Sequence, residues 1–117
     1  MMEYQPNYWQ VLKITSTEGK VLYKVFATRV GGYVDGDSWR MNSGIETVKI
    51  SDNVVEFGGY SGSVYKCLLD EGAYRTTMYT QSVLDSMIKK ADAVGARIEV
   101  LPFETNFEEL LDENCNQ

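Results

Sequence analysis

The sequence contains no histidine, and this one absence removes several classes of function. Histidine is the commonest general acid–base residue and the commonest metal ligand. Ser-His-Asp and Cys-His catalysis, zinc hydrolysis and two-histidine iron sites are therefore excluded. The two cysteines, Cys67 and Cys115, form no Cys-x-x-Cys pair, so we expect neither a disulfide framework nor a zinc site. We predict no bound metal and no cofactor.

Long apolar runs and a basic leader are also missing. No run approaches the roughly 20 apolar residues that cross a bilayer. The first ten residues, MMEYQPNYWQ, have neither the basic nor the apolar region of a secretory signal. We therefore expect a cytoplasmic protein with no membrane partner. A length of 117 residues suits a single domain over residues 1–117 that can bury its own core.

Basic residues are absent from residues 98–117, so the charge of the chain is uneven. All 11 Lys and Arg lie in residues 1–97, and the net charge of −6 comes from the acidic C-terminal region. General nucleic-acid binding requires clustered basic charge, and we do not expect it here. Docking on a basic host protein is an alternative that this region favours. The tail residues that would carry it are Glu104, Glu108, Glu109, Asp112 and Glu113.

Alternating apolar residues predict strands, and one segment changes to helical spacing. Strands are expected over residues 8–15, 21–30, 45–50, 54–59, 63–69 and 97–101. Alternation in the second strand is impure, which indicates that both of its faces are partly covered. The helical segment begins at Thr77 or Thr80, either of which can cap it, and stops at Gly95. Leu84 and the apolar residues after it recur at i, i+3, i+4 and i+7.

This element order predicts an α+β domain. We expect a twisted antiparallel sheet of about five to six strands with one amphipathic helix on one face. Residues 1–103 would form the body, and residues 104–117 would form a short acidic tail. That tail either folds into a short helix from Asn106 and docks through its apolar residues, or frays.

One stretch, GGYVDGDSWRMNSG at residues 31–44, combines glycine with aromatic, basic and amide side chains. Glycines let the backbone approach a ligand closely. Tyr33 and Trp39 offer flat faces for a base, and Arg40 offers a planar fork for phosphate. The same residues also suit a long structured turn in which Trp39 packs on the core and Arg40 is exposed. Both interpretations stand at this point.

Two further segments extend the candidate site. GGYSGSVYKC, residues 58–67, is rich in small residues that form anion-binding nests or β-bulges. Arg75 precedes the N-terminus of the predicted helix, where anions are favoured, although a capping segment would look the same. If the glycine-rich loops meet at one end of the sheet, they form one pocket rim. The predicted ligand-binding residues are Tyr33, Trp39, Arg40, Asn42, Ser43, Tyr60, Ser61, Ser63 and Arg75.

A third function class is an enzyme without histidine. Asp35 and Asp37 are the candidate acid–base pair. They lie in a polar, glycine-rich segment, and nothing in the pattern indicates the burial that would separate their pKa values. We therefore favour a non-catalytic protein that works by binding, with a homo-oligomer as an open expectation.

The segments GDSWRMNSG and SGSVYKC, together with many aromatic residues and an acidic end, resemble the small accessory proteins of tailed bacteriophages. The resemblance extends over residues 8–111. It implies an inhibitor that acts during host takeover or against host defence. Such a protein either blocks a host enzyme or sequesters a nucleotide signal of an antiviral system. The expected ligand is therefore a small, anionic, nucleotide-like molecule.

Overall fold

The structure, a computed structural model, describes residues 2–31 and 36–111. This part of the chain contains eight strands, one long helix and two short 3-10 helices, which confirms the predicted α+β class. The strands are β1 (Glu3–Tyr4), β2 (Tyr8–Thr15), β3 (Val21–Arg29), β4 (Ser38–Met41), β5 (Ile45–Ser51), β6 (Val54–Gly59), β7 (Val64–Leu68) and β8 (Arg97–Val100). The helix α1 spans Met78–Ala93, and the 3-10 helices span Glu71–Ala73 and Phe107–Glu109.

The strands form two four-stranded sheets, so the expectation of a single sheet of five to six strands was wrong in both number and arrangement. The first sheet has the order β1-β7-β6-β5, and the second has the order β4-β3-β2-β8. All neighbours are antiparallel except β1 and β7, which pair in parallel. The two strands missing from the prediction are β1, which is too short to show alternation, and β4, which lies inside the glycine-rich stretch.

A hydrophobic core lies between the two sheets. The second sheet contributes alternate side chains of β2 and β3, which share one face because side chains along a strand alternate. The first sheet contributes alternate side chains of β6 and β7 in the same way. The buried members of this core from these four strands are Trp9, Val11, Tyr23, Val25, Ala27, Val55, Phe57, Tyr65 and Cys67. Burial raises the pKa of the Cys67 thiol, which keeps it protonated at neutral pH.

Helix α1 covers the other face of the second sheet. Leu84 packs with Leu12 and Phe26 in a separate buried cluster. The second sheet is therefore a middle layer, which explains the impure alternation in β3. Thr77 caps the helix: its hydroxyl accepts a hydrogen bond from the Thr80 amide, and the Thr80 hydroxyl accepts one from the Thr77 amide.

The start of the acidic tail belongs to the core. Phe107 is 2% exposed, and its ring centroid lies 5.4 Å from that of Trp9 and 5.9 Å from that of Phe57. Leu110 is also buried in this core. The segment from Asn106 contacts the core through a 3-10 turn, with Phe107 and Leu110 buried and Leu111 partly buried, while Glu104, Glu108 and Glu109 remain exposed.

Candidate functional site

Strand β4 places two of the predicted ligand-binding residues on opposite faces of the second sheet. It pairs with β3, with Arg40 opposite Ala27 and Trp39 opposite Thr28. Ala27 faces the core between the sheets. Because successive strand residues point to opposite faces, the Arg40 side chain lies on the side of the first sheet and Trp39 on the side of the helix.

Arg40 stacks on the aromatic ring of Tyr4. Its Cζ lies 4.3 Å from the ring centroid, and Nη1 donates a hydrogen bond of 3.1 Å to the Tyr4 hydroxyl. The Tyr4 ring in turn lies 4.9 Å from the ring of Tyr65, with an interplanar angle of 36°. One guanidinium and two phenol rings thus form a short stack at the edge of the sandwich. A cation over an aromatic ring is stabilising, so this stack holds the guanidinium in place.

Strand β1 brings Tyr4 to this stack. It pairs with β7 so that Tyr4 lies beside Tyr65, and the Val64 amide donates to the Met2 carbonyl at 2.8 Å. Lys66 and Glu3 form an exposed ion pair of 2.9 Å on the same two strands. The hydrogen bond and the charge of Lys66 lower the pKa of Glu3.

A pocket of about 280 Å³ opens beside the stack. Its walls come from β1 and the residues after it, from the end of β3, from β4 and from β7. The lining residues are Tyr4, Gln5, Pro6, Ala27, Thr28, Arg29, Ser38, Trp39, Arg40 and Tyr65. Two of these described residues are arginines and none of them is acidic. Among residues 2–31 and 36–111, neither Arg29 nor Arg40 forms an ion pair with a carboxylate.

Tyr65 lines this pocket, and its hydroxyl can donate a hydrogen bond. Tyr65 is 2% exposed, and its hydroxyl forms no hydrogen bond with residues 2–31 or 36–111. Burial raises the pKa of Tyr65 to about 12, against the opposing charge of Arg40. At neutral pH the phenol therefore keeps its proton and can donate it in a hydrogen bond.

Trp39 occupies a different environment from Arg40. Its ring stacks almost parallel to that of Phe26, with 5.7 Å between centroids and an angle of 14°. Phe26 belongs to the cluster under helix α1. Trp39 is 39% exposed, so it packs on the core with one side and meets solvent with the other. Because successive strand residues point to opposite faces, Trp39 borders the pocket from the helix side of the sheet, and its ring does not face Arg40.

Asn42 has a structural role. It is 4% exposed, and its Oδ1 accepts a hydrogen bond of 2.9 Å from the Val25 amide. The Asn42 amide donates to the Val25 carbonyl at 3.4 Å. The side chain therefore extends the pairing of β3 with β4 by one residue and is not among the residues that line the pocket.

The predicted serines and Tyr60 form a separate cluster of turns. The Ser61 amide donates to Ser43 Oγ at 3.0 Å, and the hydroxyls of Ser61 and Ser63 lie 3.5 Å apart. The Tyr60 amide donates to the Gly44 carbonyl at 3.2 Å. The two glycine-rich segments thus meet, as expected, but they bond to each other.

This cluster of turns lies far from the Arg40 stack. A side chain at Gly44 would contact both Tyr60 and Leu22, which places the cluster beside Leu22. Leu22 and Ala27 are five positions apart in β3, a distance of about 16 Å along the strand. The expected single pocket rim, with Tyr60, Ser61 and Ser63 facing Arg40, is therefore not formed.

Arg75 lies away from the pocket. Arg75 is exposed, and its Cζ lies 5.2 Å from the ring centroid of Tyr8, outside the pocket. Tyr33 lies outside the described residues, as does Asp35 of the proposed acid–base pair. In the tail, the described acidic residues Glu104, Glu108 and Glu109 are all exposed, whereas Asp112 and Glu113 lie outside the described range.

Of the residues that line the pocket, sequence reasoning named only Trp39 and Arg40, and it missed Tyr4, Arg29 and Tyr65, which carry the aromatic rings and the second charge. Tyr65 sits at a core position of an alternating strand and looks like an ordinary packed tyrosine. Tyr4 lies in a strand of two residues that depends on pairing with β7. One signal was available: Arg29 is the last but one residue of the strand predicted over residues 21–30 and lies only nine positions before Ser38, so an antiparallel return would bring the two stretches together.

Residues 2–31 and 36–111 contain no group of three or more cysteine, aspartate or glutamate side chains placed to hold a metal ion. No helix in these ranges is long and apolar enough to span a bilayer.

Comparison of the chain with protein-family models, with curated proteins and with solved structures finds no match in any of the three.

Proposed function

We propose that this protein is a non-catalytic binding protein that captures a small anionic, nucleotide-like ligand in the pocket beside Arg40. One observation carries the proposal: the described residues that line the pocket include two arginines, no acidic residue and a buried tyrosine whose hydroxyl has no hydrogen-bond partner among them. Arginine recognises phosphate and carboxylate through parallel hydrogen bonds. Here the Tyr4 ring holds the guanidinium of Arg40 in place before a ligand arrives.

The lining side chains support binding more than catalysis. A general acid or base works best with a pKa near the working pH. The pKa of Tyr65 is raised to about 12, and arginine stays protonated at all ordinary pH values. These groups stay protonated at neutral pH, so they can donate hydrogen bonds to a ligand but are poorly suited to transfer protons in a reaction. Tight capture with slow release is what sequestration requires, and charge-assisted hydrogen bonds favour it.

In this proposal the biological role follows from the resemblance to bacteriophage accessory proteins. The protein would sequester a nucleotide signal of a host antiviral system and thereby inhibit that system. A non-catalytic inhibitor of this kind needs a stoichiometric complex, and the number of ligands bound per chain is therefore its direct signature.

The test is native mass spectrometry followed by calorimetric titration with a panel of linear and cyclic nucleotides. We expect a nucleotide bound at one site per chain, and we expect Arg40→Ala to weaken binding by about tenfold or more. Arg97→Ala is the matched control, because Arg97 is an exposed arginine on β8 whose ion pair with Glu99 is also exposed. Equal loss in both variants would point to general charge attraction, and no binding of any nucleotide would refute the proposal.

A second candidate function is docking on a basic host protein through the acidic surface. One observation favours it: buried Phe107 and Leu110 anchor this segment, while the carboxylates of Glu104, Glu108 and Glu109 stay exposed beside them. Changing these three residues to glutamine removes three charges and leaves the anchors intact.

The control for that experiment changes three exposed acidic residues elsewhere, Glu46, Glu71 and Asp92, to their amides. Both variants then have the same net charge. Loss of a host-protein complex in the tail variant alone would support docking, and equal loss in both would contradict it.

A further inference from the structure

We propose that the pocket recognises a terminal phosphate monoester of its ligand and leaves the base outside. This inference rests on the proposed function and specifies which part of a nucleotide-like ligand is bound. Three features of the described lining residues support it: their hydrogen-bond donors, their lack of a free aromatic face, and the size of the pocket that they enclose.

The donors suit a compact group with several acceptor oxygens and about two negative charges. One of the five N–H groups of the Arg40 guanidinium donates to the Tyr4 hydroxyl, which leaves the other four for a ligand. Tyr65 offers a hydroxyl from the buried side, and Arg29 adds a second positive charge. A phosphate monoester carries about −1.5 to −2 charges at neutral pH and three acceptor oxygens. A phosphodiester carries one charge and fewer free oxygens, and therefore matches this set less well.

Among residues 2–31 and 36–111, aromatic faces for a base are not free on this side of the sheet. One face of Tyr4 is covered by the Arg40 guanidinium, and the Tyr65 ring lies within 4.9 Å of the Tyr4 ring. Tyr65 itself is buried in the core. Trp39 keeps an exposed side, but its ring stacks on Phe26 beneath the helix, across the sheet from Arg40.

Sequence reasoning assigned base stacking to Tyr33, Trp39 and Tyr60. Tyr33 lies outside the described residues, and Tyr60 lies in the separate cluster of turns. The described residues that line the pocket therefore leave no aromatic face free for a base.

The size of the pocket also favours a phosphate bound inside it and a base that remains outside. Pockets that enclose drug-sized ligands measure about 300–1,000 Å³, and this one measures about 280 Å³. It accommodates a phosphate with the adjoining part of its ester, while the rest of a nucleotide extends past Gln5 and Ser38 into solvent. Base identity then contributes little to affinity.

The experiment is a calorimetric titration of the full chain with adenosine, inorganic phosphate, the four 5′-monophosphates and 3′,5′-cyclic adenosine monophosphate. We expect the four monophosphates to bind with affinities within about threefold of each other, because a base in solvent adds little binding energy. Inorganic phosphate should compete with them, and adenosine should not bind. The cyclic diester should bind about tenfold or more weakly, having lost a charge and an acceptor.

Tyr65→Phe tests the hydroxyl without disturbing the ring packing. We expect phosphate and all monophosphates to bind about tenfold more weakly in this variant, because one hydrogen bond to a charged group is lost. Tyr79→Phe, which alters an exposed tyrosine on the helix, should bind as the unchanged protein does. Thermal unfolding of both variants shows whether each retains its fold.

The outcomes separate this inference from the proposed function. Binding of monophosphates with a preference of tenfold or more for one base would overturn the phosphate inference while the proposed function stands. Binding of adenosine alone would overturn both, because adenosine is uncharged and the proposed ligand is anionic. Unchanged binding in Tyr65→Phe would also overturn it. If neither phosphate nor any nucleotide binds, both are overturned.

Discussion

Removal of the Phe107 ring is the sharpest test of how the acidic tail joins the fold. The ring is 2% exposed and makes aromatic contacts with Trp9, Phe57 and Tyr74. Truncation of a buried phenylalanine to alanine typically lowers the free energy of unfolding by about 3–5 kcal/mol, because apolar burial is lost and a cavity remains. We expect Phe107→Ala to fall in this range, near the upper end, because the ring lies between both sheets.

This loss is large compared with a total stability of about 5–15 kcal/mol. For a domain of this length it corresponds to a decrease in Tm of about 10–20 °C. Urea unfolding monitored by tryptophan fluorescence measures it directly, since Trp9 contacts the ring.

Glu108→Ala is the control, because it removes an exposed neighbouring side chain. Its free energy of unfolding should change by no more than about 0.5 kcal/mol. A loss of less than about 1 kcal/mol in Phe107→Ala, against the few kcal/mol typical of a buried ring, would refute the reasoning. It would mean that residues 104–111 fray from the body and do not pack stably on the core.

Three further outcomes are expected elsewhere in the fold. Gly44→Ala should destabilise the protein by about 1–3 kcal/mol in urea unfolding, because Gly44 has a φ of 142° and an added Cβ would lie 2.7 Å from the Tyr60 ring; an unchanged midpoint would contradict this packing. Lys66→Gln should raise the pKa of Glu3 toward its ordinary value in an NMR titration, since the Lys66 hydrogen bond and charge lower it. In the unchanged protein this pair stabilises the fold above the ordinary pKa of glutamate, and the contribution is lost as the pH falls through the lowered value; a Glu3 pKa that is the same in both proteins would be inconsistent with the pair. Thr77→Ala should lower the free energy of unfolding by about 1 kcal/mol through loss of the helix cap, whereas Ser82→Ala, one turn further on, should change it less.

The position of Phe107 changes how the two functional candidates are separated. Truncation after Pro102 would remove charge and core together, because Phe107 and Leu110 are buried. Loss of function in such a truncated chain would therefore carry no information about docking. Changing Glu104, Glu108 and Glu109 to glutamine alters the exposed surface alone, and Arg40→Ala alters the pocket alone. These two sets of substitutions test the two proposals independently.

Much of the fold was predictable because its signals are local. Alternation over β2, β3, β5, β6, β7 and β8 located six strands to within one or two residues at each end, and apolar spacing with a Thr77 cap located the helix. The division into two sheets was not predictable. It depends on which strands pair across the chain, and alternation describes the two faces of a strand without naming its neighbours.

The candidate site shows the same difference between local signals, which the sequence contains, and contacts between distant residues, which it does not. Sequence reasoning selected Arg40 for its chemistry, and Arg40 does line the pocket. It also grouped Arg40 with Trp39, since they are adjacent, and with Ser61, since both lie in glycine-rich segments. Strand β4 places Arg40 and Trp39 on opposite faces of the sheet. Arg40 and Ser61 lie apart because they are near different positions along β3.

The sequence by itself determined that this chain has no histidine chemistry, that its charge is concentrated at one end, and that it folds from alternating strands and one amphipathic helix. These properties follow from residue types and from spacing along the chain. Only the tertiary structure decided that Tyr4, Arg40 and Tyr65 meet. Arg40 lies 36 positions from Tyr4, and their contact depends on the pairing of β1 with β7 and of β4 with β3. Such pairings are set by the burial of the whole core, which no short stretch of sequence records.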